Sequence, residues 1–222
     1  MYKELKTENL LDLSHTLARE LLEKSEYPWE ILPEIKEYIL RLQKSLPKGE
    51  YTEISPQVFV AKDVKIAKTA SVGAPCIIGK GTEVRQCAFI RGSALIGENC
   101  VIGNSTELKN CIIFDNVQVP HYNYVGDSVL GYRSHLGAGA LTSNVKSDKT
   151  DTAVRFNGEK IKTGLRKFGA IVGDGVEVGC NSVLNPATVM GRNSRAYPLS
   201  FVRGYVPGNC IFKSPDNVVK IE

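Results

Sequence analysis

Aliphatic side chains recur at every sixth residue over most of this chain, and that period excludes both common elements. Ile54, Val60, Ile66, Val72, Ile78, Val84, Ile90, Ile96, Ile102 and Leu108 follow in unbroken phase. The phase slips by one residue to Ile113, Val119 and Val125, and slips again to Leu130 and Leu136. After a break it resumes at Val172, Val178, Leu184, Met190, Ala196 and Val202. A helix repeats every ~3.6 residues and a strand every ~2. Three short strands per coil, with a corner after each, satisfy a period of six. Each aliphatic residue then points inward and stacks on its equivalent in the next coil, about 4.8 Å away. A small residue often follows, as at Gly73, Gly79, Gly97, Gly103, Gly137 and Gly179. The expectation is that these glycines supply the unusual backbone conformation of the corners. The fold class expected is mainly β, a parallel β-helix over residues 49–207.

Two segments depart from the period. In residues 1–48, Leu10, Leu11, Leu13, Leu17, Leu21 and Leu22 recur at helical spacing, as do Ile31, Leu32, Ile35, Ile39, Leu40 and Leu42. Thr7 is a candidate N-cap, and Pro28 and Pro47 bracket a second helix. This predicts an N-terminal helical hairpin that caps the first coil, whose open end needs cover. Residues 145–168 form an insertion. Ala153–Phe156 and Glu159–Lys162 flank Asn157-Gly158, a strong type I′ hairpin signal. The stretch from Asn144 to Lys167 carries Lys146, Lys149, Arg155, Lys160, Lys162, Arg166 and Lys167 against Asp148, Asp151 and Glu159. It reads either as a solvated loop or as a lid whose cations meet phosphate groups. The tail, residues 208–222, is expected to lie along the solenoid.

Composition narrows the function classes. A formal net charge of +4 over 222 residues is too small to point to a nucleic-acid partner, which usually demands a clustered basic face, so none is expected. No apolar run approaches the roughly 20 residues that cross a membrane, and the N-terminus lacks a signal-peptide core. A cytoplasmic protein is expected. None of the six cysteines forms a C-x-x-C pair. Cys76, Cys87, Cys100 and Cys111 each sit beside aliphatic residues and read as small buried hydrophobes. Only His121 and His135 lie within the repeats, too few for a zinc site of three histidines, and no metal is expected.

His121 lies in Val119-Pro120-His121-Tyr122-Asn123-Tyr124-Val125-Gly126-Asp127, between two inward positions. Further on comes Gly137-Ala138-Gly139-Ala140-Leu141-Thr142-Ser143-Asn144. This pattern, H-x-x-Y-x-G-D and then G-A-G-x-x-x-x-N, resembles one subgroup of the hexapeptide-repeat acyltransferases. That subgroup is the acetyltransferase domain of the bifunctional glucosamine-1-phosphate N-acetyltransferase/N-acetylglucosamine-1-phosphate uridyltransferases and their archaeal relatives. The resemblance covers about residues 84–206. It implies a left-handed helix, against the usual crossover rule, and a homotrimer with sites between subunits. It also implies acetyl-CoA as co-substrate and a hexosamine phosphate, glucosamine-1-phosphate above all, as acceptor.

The resemblance assigns roles residue by residue. His121 falls on the general base, Asn144 on a residue near the amine and cofactor, and Ala138 on a backbone N–H that polarises the thioester carbonyl. Arg91, Lys109, Tyr124 and Lys167 fall on sugar-phosphate contacts. His135 falls where the family has an Asn that touches the sugar, and Cys180 and Pro198 where it has small cofactor contacts. The chemistry agrees: an amine must be unprotonated to attack, which suits an imidazole. A developing oxyanion needs a preset N–H, and a phosphate needs Arg and Lys. Arg91 and Lys109 are one 18-residue coil apart, so they should stack. No Gly-rich nucleotidyltransferase segment occurs in the sequence. The alternative is a non-catalytic module that binds a nucleotide sugar or acyl-CoA beside a separate nucleotidyltransferase.

Overall fold

The computed structural model describes residues 2–221. Strands of two to seven residues stack coil on coil in parallel register and build three faces. The inward residues are those of the six-residue period. Ile78, Ile96, Ile113, Leu130, Val172 and Met190 line one face from within, and all are fully buried. Thr142 takes an inward position where the apolar signal fades. Its hydroxyl accepts from the Gly126 N–H at 3.0 Å and lies 3.2 Å from the Ser128 Oγ, so the buried polar group is satisfied.

The three faces differ in their outward residues. On the first, Ile77, Leu95, Ile112, Val129, Ile171 and Val189 stand one above another. They point away from the coil interior, yet each is almost fully buried. On the second, Glu83, Val101, Gln118, His135, Glu177 and Arg195 form the corresponding row. On the third, Phe89, Glu107, Tyr124, Leu141, Val183 and Phe201 do so.

The N-terminal segment covers the first face, and this corrects the expected hairpin cap. It is helical only in part: single turns such as Thr7–Leu10 and Arg19–Leu22, and one eight-residue helix, Ile35–Leu42. The segment runs along the solenoid. Backbone N–H groups of Asp115 and Asp174 donate to the carbonyls of His15 and Leu10, both at 3.1 Å. The Trp29 ring stacks on Phe168 at 5.9 Å, and Asn110 Nδ2 donates to the Leu32 carbonyl at 3.1 Å. The cause is the aliphatic row, which would otherwise be an exposed stripe. The coil ends are closed instead by antiparallel hairpins. Tyr51–Ser55 pairs with Val58–Ala61, and Cys210–Ser214 with Asn217–Lys220. Ile54, first of the periodic series, is therefore outside the coils and half exposed. The tail extends the second face, with Cys210–Ser214 parallel to Arg195–Ala196 and Asn217–Lys220 as the edge strand.

The glycines after the aliphatic positions serve a different purpose from the one expected. They are not in the left-handed region. A Cβ on Gly79 would stand 2.6 Å from the Gly97 carbonyl carbon in the next coil, and one on Gly103 would overlap the carbonyl of Pro120. They permit close stacking. The left-handed corner residue comes two positions later and is often Asn, as at Asn99, Asn116 and Asn181.

Candidate functional site

Stacking puts His121, Ala138, Cys180 and Pro198 on one corner, in successive coils. Gly139 N–H donates to the His121 carbonyl at 3.0 Å, Asn181 N–H to that of Ala138 and Leu199 N–H to that of Cys180. His121 ends the strand Gln118–His121, and its imidazole is exposed without a hydrogen-bond partner among the described residues. Its backbone is held from the side: the N–H donates to Asn123 Oδ1 at 3.0 Å, and the buried Asn123 side chain donates to the carbonyls of Gly137 and Ala140. One asparagine thus ties the histidine to the coil above. The Ala138 N–H has no partner among the described residues. An exposed imidazole and a free N–H share a corner one coil apart.

The third face begins three residues on. Tyr124 lies beside Glu107 and over Gly126, where a Cβ would stand 2.7 Å from the Tyr124 Cζ, so only glycine admits the ring. Burial, then the carboxylates of Asp127 and Glu107, pushes the Tyr124 phenol up, which keeps it neutral and a donor. Asn144 Nδ2 donates to its oxygen at 3.2 Å. Arg91 and Lys109 stack as expected, since Ile90 pairs with Leu108. Each has an internal counter-ion: Arg91 Nη1 is 2.8 Å from Glu107 Oε1, and Lys109 Nζ is 3.4 Å from Asp127 Oδ2. The two cations are thus each paired with a carboxylate of the same chain.

Asp127 is the residue that sequence reasoning missed as part of the site. It is 5% exposed and also accepts from Asn110 Nδ2 at 2.9 Å and from Asn144 Nδ2. The signal was present in the phase slips. Leu108 to Ile113 and Val125 to Leu130 are five-residue steps, and Asn110 and Asp127 hold the left-handed backbone that closes these tighter corners. Their stacked side chains form the node that fixes Lys109 and Asn144. Asp127→Ala leaves three donors without this acceptor, and the expected loss is about 2–4 kcal/mol of stability, checked by urea unfolding. Asp127→Asn keeps one acceptor oxygen and should lose less than half as much.

Lys167 lies at the neck of the insertion. Its backbone bridges Val145, and Phe168 N–H donates to the Asn144 carbonyl at 3.0 Å. Its side chain is exposed. His135 is not brought to this face: it stands on the second face, with Nδ1 2.7 Å from Glu177 Oε2. The insertion is a hairpin, as the Asn-Gly signal predicts, with Asn157 and Gly158 both left-handed. It is not a loose lid. Val154 is fully buried and the Phe156 ring packs 5.2 Å from that of Tyr205, so deleting the hairpin would uncover apolar surface.

All six cysteines are free. Cys76, Cys100, Cys111 and Cys210 are buried, and burial pushes the thiols of Cys76 and Cys100 up to about 12. Cys87 is exposed, against expectation, because it occupies a left-handed corner. Among the described residues no three His, Cys, Asp or Glu side chains converge to hold a metal, and no helix is long and apolar enough to cross a membrane.

Residues 55–148 match the family model of the EIF2B subunit epsilon LbH domain. The coils form a hexapeptide-repeat left-handed β-helix. Over 185 residues the chain is 34% identical to the bifunctional protein GlmU of Methanococcus aeolicus, which covers 75% of this chain and 41% of that protein. It is 35% identical over 102 residues to a bifunctional sugar-1-phosphate nucleotidylyltransferase/acetyltransferase of Sulfurisphaera tokodaii, covering 46% of this chain and 25% of the relative. The chain thus spans well under half the length of these curated relatives. Among solved structures, the β-helix is similar to a variant of AntD, an N-acyltransferase from Bacillus cereus in complex with dTDP and coenzyme A. The identity is 22% and the TM-score 0.40, over 72% of this chain and 82% of that one.

Proposed function

We propose that this chain is an acetyl-CoA-dependent N-acetyltransferase acting on a hexosamine phosphate, glucosamine-1-phosphate first, in the supply of UDP-N-acetylglucosamine. One observation carries the reading: the exposed His121 imidazole shares a corner with the free Ala138 N–H, beside a face that holds Arg91 and Lys109. The names of the relatives, a GlmU and a sugar-1-phosphate acetyltransferase, support it. In the reaction the sugar amine attacks the thioester carbon, and His121 takes the amine proton. Ala138 N–H stabilises the oxyanion, the C–S bond breaks, and the thiolate leaves and is protonated. Arg91 and Lys109 hold the phosphate, with Tyr124 and Asn144 against the sugar and Lys167 at the rim. Cys180 and Pro198 continue the His121 corner and border the cofactor, while His135 reaches the sugar only where another subunit's second face meets this one.

Thiol release from acetyl-CoA in the presence of glucosamine-1-phosphate tests the reading. Release dependent on the acceptor is expected. Binding of both ligands without release would favour a non-catalytic module. Arg91→Ala should raise KM for the sugar phosphate by about one to two decades and leave kcat nearly unchanged, since that contact exists before and during reaction. Glucose-1-phosphate, which lacks the amine, should inhibit without being acylated.

We also propose a homotrimer that covers the third face. Phe89 and Phe201 on that face, and Tyr122, Tyr197 and Leu199 at its edge, are all more than 40% exposed, a large apolar area for a lone chain. Light scattering should return three times 24.3 kDa. A monomer at micromolar concentration would remove the shared site.

A further inference from the structure

The inserted hairpin, docked on the coils, encloses a cavity of about 440 Å³ between itself and the corner that carries Ser143, Asn185 and Arg203. This corner continues the Arg91 and Lys109 column: Ser143 N–H donates to Leu184, and Asn185 N–H to Val202. Ser143 stands two coils beyond Lys109, about 10 Å away at ~4.8 Å per coil. The cavity is separate from the Tyr124–Asn144 node, and no residue given a role above contributes a side chain to it.

Its walls are basic beyond anything folding rewards. Arg155 and Lys160 are directly opposed across the hairpin, and like charges in that register are destabilising. Arg203 joins them. Gly204 is left-handed, and a Cβ there would stand 2.8 Å from the Arg155 carbonyl, so Arg155 seats directly beside Arg203. Among the described residues none of these three cations has a carboxylate within 4.0 Å. The acids are paired with other groups: Asp148 lines the cavity together with Lys146, its partner at 3.3 Å. Glu159 accepts from the Tyr2 hydroxyl at 2.6 Å, on the strand face opposite to Lys160. The hairpin is fixed rather than mobile, because Val154 and Phe156 are buried against the coils.

We infer that this cleft binds the diphosphate of a nucleotide-type ligand. Three unpaired cations exceed what one phosphate monoester neutralises and match two adjacent phosphates, with each guanidinium able to take two oxygens. The volume suits a molecule of nucleotide size. A free nucleoside diphosphate, a nucleotide sugar and the ADP portion of coenzyme A all present this group. The assignment stands whether or not His121 catalyses acyl transfer.

Calorimetric titration of the full chain with inorganic pyrophosphate, ADP and coenzyme A tests it. ADP and pyrophosphate should bind competitively. Arg155→Gln combined with Lys160→Gln should weaken both at least about tenfold, as should Arg203→Gln alone. The double variant should melt no lower than the parent without ligand, because it relieves a repulsion. His121→Ala should bind ADP as the parent does. Coenzyme A titrated into ADP-saturated protein identifies the source: exclusion means its ADP half uses the cleft, and undiminished binding means a separate nucleotide does. No saturable binding of ADP or pyrophosphate at millimolar concentration overturns the inference, as does equal binding by parent and variants.

Discussion

His121→Ala is expected to lower kcat by a factor on the order of 10²–10⁴ with little change in KM, because a general base acts only in the transition state. This substitution is a clean probe. The imidazole is exposed and makes no hydrogen bond within the described structure, while the backbone bonds to Asn123 and Gly139 survive truncation. Melting should therefore be unchanged, and any loss of rate belongs to the chemistry. Acceptor-dependent thiol release at the parental rate would end the assignment of His121 as base. It would leave the roles of Arg91 and Lys109 to be judged by their own KM effects.

Gly103→Ala should be the most destabilising methyl group that can be added near the site. The new Cβ would overlap the Pro120 carbonyl, which is backbone of the adjacent coil and cannot rotate away. Overpacking typically costs about 1–3 kcal/mol, and an overlap with backbone belongs at the upper end, about 3 kcal/mol. For a chain of this length that lowers the melting temperature by about 6–12 °C. Pro120 precedes His121, so acyl transfer should fall as well. A thermal scan of Gly158→Ala provides the comparison, since nothing lies within 4 Å of a Cβ there and only its left-handed backbone is strained. A melting point for Gly103→Ala above that of Gly158→Ala would contradict the stacking account.

The same stacking explains which parts of the site could be found from sequence. A coil of 17 or 18 residues superimposes residues at that spacing. Arg91 over Lys109 could be read by counting, and so could His121 under Ala138, while Cys180 follows Ala138 only after the insertion. The Asp127 node required a further step. Asn110 and Asp127 interact because two five-residue steps fall in consecutive coils, and the phase slips that mark them look like mere irregularities in a list of aliphatic positions. The row Ile77, Leu95, Ile112, Val129, Ile171 and Val189 was equally visible, one residue before each inward position. It names an outer face that must be covered, and it makes the N-terminal leucines its natural cover rather than an end cap.

The repeat determined the coil, the inward residues and the order of the stacked columns, and the Asn157-Gly158 turn signal determined the hairpin. All of these follow from local periodicity and turn chemistry, which act over a few residues. Only the tertiary structure decided that residues 2–46 lie along one face, that Arg91 and Lys109 are already paired, and that the hairpin is docked against Tyr205. These depend on which surfaces meet after the coils have formed, and residues 100 or more apart in sequence, such as Leu10 and Asp174 or Tyr2 and Glu159, make those contacts. A six-residue period carries no information about such pairs, because it fixes the direction of each side chain but not what lies beyond it.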